Sequence, residues 1–212
     1  MAQPGSEPRA DTLGPTVLRM MLGSRLRHLR EAARITRDDA GYAIRASPSK
    51  ISRMELGRVG FKERDLADLL TMYGVTDERM RTDLLVLAQR ANVPGWWSKY
   101  DDILSDWFET YLDLEAAASV IRTFELQFIP GLFQTEAYAR EVILLGHRAA
   151  PAEEIDRRVS LRLKRQELLT NPQPPRVWAV IDEAALRRPV GGLTVMRGQL
   201  DRLIEVAQRR RR

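Results

Sequence analysis

The chain of 212 residues contains no cysteine and only two histidines, His28 and His147. Disulfides and thiolate metal sites are therefore excluded, which agrees with a reducing cytoplasm as the expected location. Nucleophile–base arrangements have little to draw on. His28 stands beside Leu29 and reads as a surface residue; His147 follows Gly146 at a helix end, where a cation suits the helix dipole. No run of eighteen apolar residues is present, so neither a transmembrane helix nor a membrane partner is implied. A phosphate-cradling glycine loop is missing as well. Asp101, Asp102 and Asp106 lack the spacing and the glycine of a metal loop, and Asp182-Glu183 is a carboxylate pair without a metal or substrate group near it. No catalytic residue, cofactor or metal is expected, and the chain does not read as an enzyme.

Apolar residues make up 44% and charged residues 30%, enough for a soluble protein with a real core. The net charge of +5 says little, because Arg209 to Arg212 supply four of those charges. The distribution says more. Between Arg19 and Arg58 there are ten basic and four acidic residues, a local excess able to release counterions from a phosphate backbone.

The first apolar stripe, Leu18, Leu22, Leu26, Leu29 and Ala33, predicts a helix over residues 17–34. Thr36 is the expected cap of a second helix reaching Ile44, with Asp38 and Asp39 in its first turn. Ser47-Pro48 restarts the chain, since serine caps and proline suits the first helical position. The third helix turns Ile51 and Met54 inward and ends near Gly57, which can take up the left-handed conformation past a helix. Two more helices are expected, one over residues 62–73 and one opening at a Thr76 cap. Together these five form a bundle over residues 16–92, after a disordered lead-in over 1–15. Asn92-Val93-Pro94-Gly95 marks a break. Beyond it, helices are expected around 106–118, 134–145, 152–169 and 194–208. A strand is expected within 119–128, and a short buried strand at 177–181. The fold class is therefore mainly α: a five-helix bundle, then a smaller α+β accessory domain over residues 96–208 and a basic tail at 209–212.

Residues 23–58 carry the function. A small residue inside the second helix lets the third approach closely, and Ala40 and Gly41 stand there. The outward side of the third helix presents Ser49, Lys50, Ser52 and Arg53. Arg53 is the leading candidate for reading a base, because a guanidinium can bond two guanine acceptors at once; Lys50 and Ser49 follow. Arg37, at the start of the second helix, is placed for a phosphate. Ser47, Arg45 and Arg58 complete the expected DNA-binding set.

The stretch GSRLRHLREAARITRDDAGYAIRASPSKISRMELGR resembles the Xre-type, lambda-repressor-like helix-turn-helix family. That resemblance implies a pair between Arg30 and Glu55 that holds the recognition helix, over about residues 47–56. Arg45 stands where the family's turn favours glycine. Further on, LEAAASVIRTFELQFIPGLFQTEAYARE, with Trp96-Trp97 before it, resembles the accessory domain of actinobacterial Xre-type regulators of the WhiJ-like and antitoxin-like group. Glu115, Ala118, Pro130, Gly131, Gln134, Thr135, Tyr138 and Ala139 carry the match, as do Leu161-Arg162-Leu163 and Arg165-Gln166; Phe133 replaces a common leucine. In that group the accessory domain continues into further strands, so the resemblance implies a shortened member, with the strand at 177–181 left at an exposed edge or a dimer contact. Trp96, Trp97, Tyr100, Trp107, Phe108 and Tyr111 would line an aromatic pocket or, the commoner outcome, serve packing.

Two functions follow from the resemblance. The first is a homodimeric, sequence-specific transcriptional regulator bound to double-stranded DNA. The second is an antitoxin-like module that masks a small protein encoded nearby and binds DNA only for autoregulation.

Overall fold

The computed structural model describes residues 13–209, without the side chains of Asp106 and Arg209. Most of the expected lead-in and the arginine tail lie outside it. The lead-in ends earlier than expected: Leu13 is buried, and α1 (Pro15–Ala32) opens with proline at its first turn. Four short helices follow: α2 (Arg37–Ala43), α3 (Pro48–Glu55), α4 (Glu63–Met72) and α5 (Glu78–Ala91). Leu22 and Leu26 of α1 meet Ile51, Met54, Phe61, Leu66 and Leu70 in one core. Each fully buried leucine contributes about 1.5–3 kcal/mol relative to an exposed one.

The chain divides into two compact units. Met1–Ser98 and Asp106–Ala117 form the first, Lys99–Ser105 and Ala118–Arg212 the second. The break expected at residues 92–96 is therefore displaced, because α6 (Asp106–Ala117) belongs to the first unit. The physical reason is Asp113, whose carboxylate is buried. It accepts from the Thr16 backbone N–H at 2.9 Å and from the Trp97 indole N–H at 2.9 Å. Gly14 precedes α1 and offers no capping side chain, so α6 supplies the missing acceptor to a helix N-terminus. A Cβ at Gly14 would stand 2.3 Å from that carboxylate, which makes glycine the residue that lets it in.

Where helices begin and end follows local chemistry. Arg34 adopts a left-handed conformation (φ 57°) and stops α1 two residues before the expected end. Asp77 rather than Thr76 caps α5, its carboxylate accepting from the Arg79 and Met80 N–H groups, in line with aspartate's stronger capping preference. Gly23 lets α1 lie against the end of α3; a Cβ there would meet the Met54 carbonyl at 2.3 Å.

The second unit pairs β1 (Val120–Glu125) with β2 (Arg176–Ile181) in parallel, Ile121 opposite Val177. The helices α7 (Glu136–Gly146) and α8 (Ala152–Gln166) lie between them in sequence. After β2 come α9 (Glu183–Arg187) and α10 (Gly192–Arg209). Ile129, Leu132, Phe133, Tyr138, Val177 and Met196 form its core. The fully buried Gln199 ties α10 to the start of α7: its amide donates to the Phe133 carbonyl at 2.9 Å and accepts from the Thr135 N–H at 2.7 Å. The expectation of a buried strand at 177–181 needs correction. Val177 is covered, but Trp178 and Val180 alternate outward, as does Phe124 on β1. Asp182, half of the loose carboxylate pair, caps α9, and Glu183 pairs with Arg187.

Candidate nucleic-acid interface

The segment joining α2 to α3 is built by three sequence features. The Thr36 hydroxyl accepts from the Asp39 N–H at 3.1 Å and opens α2. Gly41 then allows the turn to fold back: the Ala46 N–H donates to its carbonyl at 2.8 Å, and a Cβ on Gly41 would stand 2.6 Å from the Ala46 oxygen. Ser47 finally caps α3, its hydroxyl oxygen accepting from the Lys50 N–H at 3.2 Å, while its own proton stays available to a phosphate oxygen.

Between them Arg45 sits at φ 52°, the left-handed region where a side chain is strained and glycine is not. Arg45→Gly is expected to raise the stability of the first unit by about 0.5–1 kcal/mol. If Arg45 also touches a DNA backbone, the same variant binds all duplexes more weakly. A urea melt and a salt titration of binding measure the two effects separately.

The seating of α3 is set by its inner side and by a buried charge cluster. Ile51 and Met54 are each 1% exposed. Glu55 accepts from Arg30 through both carboxylate oxygens, with Nη2 at 3.3 Å from Oε2, and Arg30 also donates to the Ile35 carbonyl at 2.8 Å. The expected pair therefore exists and links α1 to α3. Glu55 holds the Arg30 guanidinium above its ordinary pKa range. Burial first, and the Glu55 charge second, push neighbouring Tyr73 up to about 12.

Two residues expected to face DNA are engaged within the protein. Arg37 donates through Nε to Glu55 Oε2 at 3.0 Å, so it is the third member of the buried cluster, with its side chain 41% exposed. Lys50 turns towards α4 and pairs with Asp65 at 2.7 Å. It anchors α3 and does not share the outward side with Ser49 and Arg53. Nothing in the sequence joined Lys50 to Asp65, fifteen positions away on another helix.

Ser49 and Arg53 are exposed and Ser52 is half-buried. The side chains of Arg45, Arg53 and Arg58 are exposed and have no hydrogen-bond or ion-pair partner among the described residues. An open groove of about 710 Å³ runs between α1, α2 and α3, lined by Arg27, Arg37, Asp38, Pro48, Ser49 and Ser52 among others. Its lining brings together the first turns of α2 and α3, with three arginines (Arg27, Arg30, Arg37), two carboxylates (Glu31, Asp38) and two serines.

Residues 21–82 match a family described as a helix-turn-helix domain. Residues 108–212 match a second family, described as a domain of unknown function (DUF5753). No curated protein and no solved structure matches the chain. The first unit is thus a helix-turn-helix domain, the architecture of DNA-binding regulators, followed by a smaller α+β region. Among the described residues no helix is long and apolar enough to cross a membrane.

Proposed function

We propose that this protein is a sequence-specific transcriptional regulator that binds double-stranded DNA as a homodimer. Its α3 enters the major groove, Arg53 and Ser49 read base edges, and Arg45, Ser47 and Arg58 hold the flanking phosphates. Ser52 lies at the edge of the reading surface. Arg37 remains tied to Glu55 through Nε and uses its outer nitrogens for a phosphate. The observation that carries the reading is the division of α3 into two sides. One is fixed by Ile51, Met54, Glu55 and Lys50, and the other leaves Arg53 and Ser49 exposed.

A dimer of this kind reads a pseudo-palindromic operator with half-sites about one helical turn apart, roughly 34–36 Å. Fluorescence anisotropy of the protein on the duplex upstream of its own gene, beside a scrambled duplex at physiological salt, tests it. A preference of about a thousandfold or more for the upstream duplex is expected. Equal, weak binding to both would overturn the regulator and leave the masking of a small partner protein as the better reading.

A further inference from the structure

The cations around α3 are sorted by the carboxylates that reach them. Glu31 pairs with Arg27, and Glu55 holds both Arg30 and Arg37. Those two acids belong to the same basic stretch of sequence, residues 19–58. The next pair draws on a carboxylate from outside it: Asp65, in the first turn of α4, meets the Lys50 ammonium at 2.7 Å. Lys50 therefore counts towards the basic excess of the sequence but not towards the charge that α3 presents. Arg45, Arg53 and Arg58 are the exposed arginines left without a hydrogen-bond or ion-pair partner at α3 and its flanks, among the described residues.

Lys50 stands where a free ammonium would meet a phosphate backbone. Its own N–H donates to the Ser47 hydroxyl at 3.2 Å, and the exposed Ser49 precedes it. A cation there lies inside the screening distance, about 10 Å in ordinary salt, of any phosphate that Ser47 touches. The side chain is nevertheless drawn inward, 32% exposed against 12% for its Asp65 partner. Asp65 is itself favoured by the N-terminal amides of α4, which Lys62 leaves uncapped. A short, charge-assisted bond to such a carboxylate holds the ammonium against a competing phosphate.

We infer that Asp65 withholds Lys50 from the phosphate backbone and so sets how tightly the first unit grips DNA of any sequence. The inference rests on the proposed DNA binding, and Asp65 is a positioning residue that acts through Lys50. Every cation set against a phosphate adds salt-dependent affinity without sequence information. Neutralising one of them inside the protein leaves Arg53 and Ser49 a larger share of the total binding.

The test is binding of the full chain to the upstream and the scrambled duplex across a salt series. It compares the natural sequence, Asp65→Asn, and Asp65→Asn combined with Lys50→Gln. Asp65→Asn is expected to bind both duplexes roughly three- to tenfold tighter at physiological salt, with a salt slope steeper by about one. The double variant has no cation to release, so affinity and slope are expected to return to the natural values. Asp65→Ser carries the same test should the amide not fold. An unchanged slope in Asp65→Asn overturns the inference, because Lys50 then already lies on a phosphate or never reaches one. A gain that persists in the double variant overturns it as well, since Lys50 is not its source. Weaker binding by Asp65→Asn would make the pair a brace for α3 alone and likewise overturn it. The natural protein's preference between the two duplexes tests the regulator separately, because the slope is read on the scrambled duplex whether or not a preference exists.

Discussion

Replacing Glu55 with alanine is expected to destabilise the first unit by about 3–5 kcal/mol. The side chain is 3% exposed and is the acceptor shared by Arg30 and Arg37. Without it Arg37 returns to water at little cost, but the Arg30 side chain, itself 8% exposed, keeps only the Ile35 carbonyl and a 3.5 Å ion pair with the exposed Glu31. Most of the loss is thus the penalty of a buried cation without a buried counter-charge rather than the worth of the pair. The double variant Arg30→Met, Glu55→Leu separates these: it should recover much of the stability, because both charges leave together. Urea denaturation followed by circular dichroism measures all three proteins. An unchanged midpoint in Glu55→Ala would show that Ile51 and Met54 hold α3 unaided.

Arg53→Ala is expected to cost about 1–3 kcal/mol of operator affinity, roughly 5–150-fold, and to relax preference at one base pair. Stability should hardly change, since the side chain is exposed and has no partner among the described residues. Arg37→Ala provides the contrast. It should weaken every duplex alike and lower the salt slope by about one. Competition binding against a panel of single-base operator variants distinguishes the two patterns. An Arg53→Ala protein with the natural sequence preference would place the reading surface elsewhere on α3.

Local signals carried much of the first unit. Thr36, Ser47 and Pro48 announce helix starts by hydrogen-bond chemistry that acts over three residues, and the structure puts the starts of α2 and α3 there. Gly41 and Gly57 mark places where a Cβ would strike backbone, and both lie at such contacts. Arg30 with Glu55 came from family resemblance, not from spacing. What depends on distant partners was not legible. Helical periodicity places Lys50 near Ser49 on the outward side, yet a long flexible side chain can reach around a helix to Asp65. Asp113, read only as part of a helix, proved to be the acceptor for α1 across 97 residues. In the second unit the apolar composition of 177–181 suggested full burial. A two-stranded pairing covers one face only, so Trp178 and Val180 remain exposed.

The borrowed acceptor on α6 bears on how such a protein can be recombined. The family matched by the second half begins at residue 108, inside α6, whereas that helix packs on the first unit. A splice at the Pro94-Gly95 break would separate α1 from Asp113 and Ala91 from its neighbour Ala117. Any exchange of the second unit that preserves the first must therefore join after Ala117. Such a join leaves Lys99–Ser105 behind, although they belong to the second unit, where Asp102 pairs with Arg157. No single cut keeps both units whole, because the chain passes between them three times.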